Sequence, residues 1–353
     1  MKFDNYDLAL ITDEKQRAYF LGYRSTDGYL IMTKDTKTLV IDDRYFFAAK
    51  KKLAPKGVEV ISAFGYETLF RRAEELGVKR LGIDFNKTKL SEYETLKSHG
   101  FEFSDISEDL AADTSVKTDE EIKYIAKACQ IAEKAWKATL PFIKKGIREV
   151  EVAALLEYNF KKYGASGTSF ETIVAFGENA AVPHHETSRK KLRDNECVLM
   201  DFGCLYNGYC SDMTRTMFFG KPDDEFLNAY AAVKSAHEKA AGFIKLGVSG
   251  KAADAVAREE LTKRGYGKYF THSLGHGIGV NIHEYPNLSP KSGWKIENNM
   301  VFSNEPGVYI NGKFGIRIED SAYLCDGNYK SFMKDDKSLI LLSDSEKTKK
   351  IKI

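Results

Sequence analysis

The sequence predicts an α+β chain in two parts, and three observations predict it. Residues 1–117 alternate short apolar strands with short helices, the pattern of a small α/β domain. Residues 118–353 run helix-helix-strand-hairpin and then helix-helix-strand-hairpin, which suggests two similar halves around one sheet. Six of the seven histidines lie between His184 and His283, and two hairpins, one inside that span and one after it, carry acids inside apolar runs. At 353 residues the chain is long enough for two domains with sizeable cores.

In the first part, Asp7–Thr12, Tyr29–Thr33, Thr38–Asp42, Val58–Ser62 and Arg80–Asp84 read as strands. Asp43 is a candidate cap for a helix from Arg44 to Leu53. Tyr66–Leu76 has helical periodicity and ends at Gly77, and Leu90–Ser98 ends near Gly100. The part carries no GxGxxG and no P-loop, and His99 reads as an exposed helix end.

A boundary is expected near Ala111–Thr118. Thr118 and Glu121 form a capping box for a long helix that Pro141 stops. A second helix covers Val150–Gly164, and a strand-like Glu171–Ala175 leads to His184 and His185. After the first hairpin, Pro222-Asp-Asp starts a helix over Asp224–Lys245, and another spans Lys251–Arg264, before strands and glycine-rich turns resume.

Composition excludes several classes. The net charge of +2 gives no argument for nucleic acid, and the basic tail Lys347–Lys352 reads as a solvated end. The N-terminus has acids inside its apolar run and is no signal peptide, and no segment reaches the roughly 18 apolar residues of a membrane span. Five cysteines, an odd number with no CxxC spacing, fit reduced thiols in a cytoplasmic protein.

The stretch VLMDFGCLYNGYCSDMTRTMFFG, Val198 to Gly220, reads as two strands joined at Asn207-Gly208, the pair that a two-residue type I′ turn favours. Counting outward from the turn, Tyr206 faces Tyr209, Cys204 faces Ser211 and Gly203 faces Asp212. Asp201 then shares a sheet face with Asp212 as a diagonal neighbour, roughly 7 Å away at Cβ or somewhat less, and Gly203 would leave open space beside them. Two acids on one buried face repel unless a positive group lies between them, and a metal ion is the obvious candidate.

The segment from Thr271 to Pro286 holds His272, His276 and His283, with glycines on both sides of His276. A neutral imidazole there suits Mn, Fe, Co or Zn, although a lone histidine is more often structural, as His237 inside its helix should be. GHGIG lacks the dinucleotide spacing, and His283-Glu284 does not extend to HExxH. The next hairpin carries Glu305 and Glu319. A two-residue turn at Asn311-Gly312 would put Glu305 opposite Ile318; a three-residue loop, or a bulge, would put it opposite Glu319. Four carboxylates and one imidazole suit two divalent ions, whose oxygens can bridge metals about 3.5–4 Å apart.

At these residues the chain resembles the pita-bread metallopeptidases, in their Xaa-Pro branch of prolidases and aminopeptidases P. DFG, GY-x-SDMTRT, HSLGHGIG, HEYP, EPGVYI and GIRIED match in order, and DGYLIMT and DDRY match the creatinase-type N-terminal domain. The resemblance implies a creatinase-like α/β domain at 1–117 and a pita-bread catalytic domain at 118–353. It implies Asp201, Asp212, His276, Glu305 and Glu319 as ligands of two divalent ions (Mn, Co, Zn or Fe, with Mn expected), Asp212 and Glu319 bridging. A metal-held hydroxide would attack the scissile carbonyl with Glu305 as general acid/base. His184 matches a residue near the leaving nitrogen, His283 one that stabilises the tetrahedral intermediate, and His272 and Arg317 positions on the proline side of the substrate. An arginine between Glu305 and Glu319 also has the simpler role of neutralising the site, and His185 is expected only as a neighbour of the pocket. The implied substrate is a small peptide with proline second, and the implied state is a cytoplasmic homodimer without nucleic-acid or membrane partners. A methionine aminopeptidase usually lacks the N-terminal domain and a histidine at position 272, and a non-catalytic pita-bread module usually lacks ligands that are all present here. A kinase reading of Asp201-Phe-Gly203 has no HRD or APE to accompany it.

Overall fold

The computed structural model describes residues 1–345 and 348–351. Met1–Asp113 and Thr114–Ile353 form two compact units. The first holds β1 (Leu8–Ile11), α1 (Glu14–Leu21), β2 (Tyr29–Met32), β3 (Lys37–Ile41), α2 (Asp43–Leu53), β4 (Val58–Ser62), α3 (Glu67–Glu75), β5 (Arg80–Ile83), α4 (Leu90–Lys97) and β6 (Glu102–Asp105). Its strands form one mixed sheet in the order β4-β3-β2-β1-β5-β6. Alternate residues feed separate apolar clusters: Ala9 and Ile11 join one, Leu8 and Leu10 the other. The cap of α2 is Asp42, whose side chain accepts from the Arg44 N–H at 2.8 Å, one residue before the expected Asp43. His99 is exposed at the end of α4 and stacks on Phe70. The unit boundary falls within α5 (Ser107–Ser115).

The second unit begins with α6 (Asp119–Thr139), entered through the Thr118/Glu121 capping box, and α7 (Glu149–Lys162). There follow β7 (Gly167–Thr168), β8 (Ile173–Phe176), β9 (Glu196–Phe202), β10 (Cys204–Tyr206), β11 (Tyr209–Cys210) and β12 (Met213–Phe219). Then come α8 (Asp224–Phe243), α9 (Gly250–Lys263), β13 (Gly275–Gly277), β14 (Glu284–Leu288), β15 (Val301–Asn304), β16 (Gly307–Ile310), β17 (Phe314–Arg317) and β18 (Glu319–Cys325). The last elements are β19 (Asn328–Ser331), β20 (Leu339–Leu342) and β21 (Lys349–Ile351). A ten-stranded sheet gathers β8, β9, β12 and the later strands except β16 and β17, which pair with each other. Along β9, Val198, Met200 and Phe202 enter the core shared with α6 and α7, whereas Cys197 and Leu199 enter the core shared with α8 and α9. Asp201 therefore points away from the α6/α7 core.

The first hairpin has the register set by its turn. Asn207 and Gly208 have φ of 49° and 89°, as a type I′ turn requires. Tyr206 pairs with Tyr209, and the same register continues through Thr214 opposite Asp201 to Phe219 opposite Glu196. The hairpin leaves the large sheet at Gly203, beyond which β10 and β11 join β7 in a three-stranded sheet. The expected open space beside Gly203 is absent: a Cβ there would meet the Ser211 carbonyl oxygen at 1.9 Å. Glycine is needed because the two backbones close on each other where the hairpin changes sheets.

The second hairpin takes the three-residue loop. Ile310 pairs with Phe314 around Asn311-Gly312-Lys313, and Asn304 pairs with Asp320 in the same register, so Glu305 falls opposite Glu319. The basic tail is exposed at 348–350, as expected of a solvated end, but it also forms a strand. β21 pairs with β20, and Lys350 lies 2.9 Å from Asp335 and 2.7 Å from Asp336. Lys347 and Lys352 lie outside the described residues.

Gly203→Ala should lower stability by about 2–3 kcal/mol, because the Ser211 carbonyl must move and overpacking costs that order. Urea denaturation checks this; an unchanged midpoint would mean that the hairpin opens there without strain.

Candidate metal centre

The sheet brings the four acids together by register. Asp201 lies opposite Thr214 on β12, and Thr214 lies opposite Glu319 on β18. Asp212 is two residues before Thr214 and shares its face, and Glu305 continues the row past Glu319. From the neighbouring β13, His276 enters with Nε2 3.5 Å from Asp212 Oδ2 and 3.3 Å from Glu305 Oε1. One ligand atom from each of Asp212, His276 and Glu319 lies within 4.8 Å of the other two. All nine residues singled out in the sequence, His184, Asp201, Asp212, His272, His276, His283, Glu305, Arg317 and Glu319, line one cleft of about 660 Å³. His237 is buried against Asp320, away from this cleft, as its helical position implied.

Hydrogen bonds fix most of these groups. Ser303 Oγ donates to Glu305 Oε1 at 2.9 Å and accepts from the His276 N–H at 3.0 Å. The Asp212 N–H donates to Ser321 Oγ at 3.0 Å, and that hydroxyl donates back to the Asp212 carbonyl at 2.7 Å. Thr214 Oγ1 donates to Glu319 Oε2 at 2.5 Å and accepts from Arg317 Nε at 3.0 Å. Arg317 also reaches Asp201 Oδ2 with Nη2 and the Tyr309 hydroxyl with Nη1 at 2.6 Å, and His272 Nε2 lies 2.9 Å from that hydroxyl. Arg317 therefore neutralises Asp201, the simpler of its two expected roles, while it lines the cleft. His185, expected only as a neighbour of the pocket, also lines the cleft, where it binds Glu149 at 2.9 Å and Asn179 at 3.3 Å.

Sequence reading missed Thr214, Ser303, Ser321 and Tyr309. The first three had a usable signal, because each is a hydroxyl two residues from a candidate acid on the same strand face: Thr214 from Asp212, Ser303 from Glu305, Ser321 from Glu319. Tyr309 had none, since its role depends on where Arg317 and His272 meet.

The electrostatics of this face are unbalanced without a cation. Burial raises the pKa of Asp212 well above the ordinary carboxylate value, and the charges of Glu319, Asp201 and Glu305 raise it further. Burial followed by the charges of Glu305 and Asp201 does the same to Glu319. Burial also raises Asp201, against the pull of Arg317. Glu305 goes the other way: burial would raise it, but the hydrogen bond and charge of His276, then His272 and Arg317, hold it at about 2. Burial opposes the charged form of His276, yet Glu305 and the Gly277 carbonyl outweigh it and the imidazole pKa is raised. Two buried oxygens, Asp201 Oδ1 and Glu319 Oε1, have no hydrogen-bond partner among the described residues. Converging carboxylates with orphaned oxygens beside one imidazole are the donor set of a borderline divalent ion such as Mn, Fe, Co or Zn.

Fold and site together mark a candidate metal-dependent hydrolase, with converging buried acids and an imidazole on one cleft wall. Comparison with known proteins makes the assignment more specific. The model of metallopeptidase family M24 matches residues 123–325, and that of the creatinase/prolidase N-terminal domain matches residues 1–113. The chain is 34% identical to the Xaa-Pro dipeptidase of Pyrococcus furiosus over 96% of its own length and 97% of the relative's. Among solved structures it is similar to the Xaa-Pro dipeptidase from Bacillus anthracis, at 37% identity and a TM-score of 0.92, with 96% of this chain and 95% of that one covered. It is also similar to the X-Pro aminopeptidase from Thermotoga maritima, at 34% identity and a TM-score of 0.88, covering 96% and 97%. The chain belongs to metallopeptidase family M24.

The pKa shifts give the metal-free protein a pH signature. Asp201, Asp212 and Glu319, with raised folded values, hold protons more tightly folded than unfolded, so stability falls as pH rises above the ordinary carboxylate range. The raised His276 adds a contribution that is present below the ordinary histidine value and lost as pH rises through its folded one. Glu305, with a depressed value, acts oppositely but only as pH falls below the ordinary carboxylate range. The melting temperature of chelator-treated protein should therefore fall as pH is raised from about 5 to about 8, and divalent ions should remove the slope. A melting temperature that rises over that interval without metal would contradict the site's electrostatics.

Proposed function

We propose that this metallopeptidase hydrolyses the Xaa-Pro bond at the N-terminus of dipeptides or short peptides, with two divalent ions held by Asp201, Asp212, His276, Glu305 and Glu319. The observation that carries the reading is the row of four carboxylates and one imidazole on a single cleft wall, with buried oxygens of Asp201 and Glu319 left unpaired. The names of the dipeptidase and aminopeptidase relatives support the substrate class. Manganese as the preferred ion, a cytoplasmic location and a homodimer go with the same reading through the family resemblance. So does a division of labour between residues 1–117, which hold none of the nine site residues, and a catalytic part at 118–353.

Bound divalent ions would polarise the scissile carbonyl and lower the pKa of water to supply a nucleophile near neutral pH. The residues of the chain do the rest. Glu305, with its low pKa, is deprotonated throughout the neutral range and accepts the proton of the attacking water at a carboxylate oxygen; it then delivers it to the leaving nitrogen. Ser303 holds one of its oxygens in a single orientation. His283, exposed on the cleft wall with its ring edge-on to His276 at 4.3 Å, donates a hydrogen bond to the developing oxyanion. His184, also on the wall, serves the leaving nitrogen. His272 and Arg317, joined through the Tyr309 hydroxyl, form the proline side. A proline after the scissile bond has no N–H, so such a pocket recognises ring shape rather than a donor.

Purified protein supplied with manganese should cleave Ala-Pro or Ala-Pro-Gly, and chelation should abolish the cleavage. Preference for the first marks a dipeptidase and for the second an aminopeptidase. Glu305→Ala should lower kcat by about 10²–10⁴-fold; full activity in that variant would sink the mechanism.

A further inference from the structure

From a buried ion pair outside the ligand set, we infer that Lys117 and Glu284 are positioning residues, a clamp that holds the loop carrying His283 against the metal centre. The inference rests on the role proposed above for His283. Lys117 Nζ lies 2.9 Å from Glu284 Oε2, and the two side chains are only 1% and 5% exposed. The ammonium also donates to the Thr114 carbonyl, and the Lys117 N–H donates to the Asn299 carbonyl at 3.0 Å, so the lysine end is itself fixed.

Glu284 follows His283 directly and closes the loop back on itself. Its other oxygen accepts from the Asn281 N–H at 2.7 Å, and the Gly279 N–H donates to the Asn281 carbonyl at 3.0 Å. A Cβ on Gly279 would meet Glu284 Oε2 at 2.3 Å, so the carboxylate lies directly on the loop's backbone. The Gly279 carbonyl in turn accepts from the Cys210 N–H at 2.8 Å, two residues before Asp212. The loop from His276 to Glu284 is thus fastened to the Asp212 hairpin, to β15 through the Ile278 N–H and the Val301 carbonyl, to its own backbone and to Lys117.

A buried ion pair is a weak source of stability, because desolvation offsets most of the attraction, but it admits one geometry. His283 itself is exposed. The neighbouring Glu284 anchor sets the direction from which the imidazole meets the cleft. A misplacement of about 1 Å at such a group is enough to lose rate heavily without losing the fold. Lys117 and Glu284 touch no ligand of the metal centre in the contacts described, so their effect must pass through the loop.

The test is a double-mutant cycle between Glu284→Gln and His283→Ala on metal-loaded full-length protein, reading kcat, KM, metal content and melting temperature. His283→Ala alone should lower kcat at least tenfold, and Glu284→Gln should lower it by a similar factor with KM changed less than about threefold and metal content unchanged. In the Glu284→Gln background, His283→Ala should cost less than about threefold more, because the clamp acts through that imidazole. No effect of His283→Ala alone would remove the role proposed for His283. A clear effect that simply multiplies with Glu284→Gln would overturn the clamp and leave that role standing. Loss of metal from Glu284→Gln would also overturn it, by placing the damage at His276. If Glu284→Gln does not fold, the pair Lys117→Met with Glu284→Gln, which buries no lone charge, carries the same cycle and the same outcomes.

Discussion

Four carboxylates share one buried sheet face, with the guanidinium of Arg317 and the imidazoles of His276 and His272 standing against them. Like charges at that separation cannot all remain ionised in a low-dielectric site without a compensating cation. Burial and mutual repulsion push the carboxyls of Asp212 and Glu319 well above the ordinary range, His276 holds Glu305 low, and Asp201 leans on Arg317. The hydroxyls of Thr214, Ser303 and Ser321 fix the carboxylates and their strands in place. The fold therefore maintains a strained arrangement of charge that a bound divalent ion would relieve, and such an ion would couple its binding to folding.

That arrangement depends on two hairpins sharing one register. Asn207-Gly208 sets β9 against β12, the three-residue loop at 311–313 sets β16 against β17, and β12 pairs with β18 at Thr214 and Glu319. A slip of one residue in either hairpin would send its acids to the opposite face. Behind the site, Arg215 on the other face of β12 pairs with Asp320 at 2.8 Å and Asp335 at 3.0 Å, which ties β12 to β18 and to the chain beyond it. The residue alternation of the strands separates the two functions: even spacing from Asp212 builds the site, odd spacing builds this support.

Much of this was legible in the chain itself. The first hairpin could be read to the residue because Asn-Gly admits few turns, and the long helices were announced by caps such as Thr118/Glu121. The second hairpin stayed open between two registers, because Asn311-Gly312 fits a two-residue turn as well as part of a longer loop. The three-residue loop sets Gly315 opposite Tyr309, where a Cβ would come within 1.7 Å of the Ala180 carbonyl, so this position requires glycine. The helix Glu14–Leu21 escaped notice because only Arg17 and Leu21 are buried in it, too few to mark an apolar stripe. Gly203 was read as space when it is close backbone contact, a distinction that depends on the hairpin's change of sheets and has no local signature. The Lys117–Glu284 pair joins residues 167 positions apart, beyond any spacing rule.

The central claim is that these five side chains form a single two-ion cage. Its most direct test is the number of tightly bound divalent ions per chain, measured by elemental analysis of metal-loaded protein and of Asp212→Asn. The account predicts two ions in the native chain and loss of both in the variant, since the family resemblance implies that Asp212 would bridge them. Two ions retained by Asp212→Asn, or a native protein that never binds more than one, would contradict it.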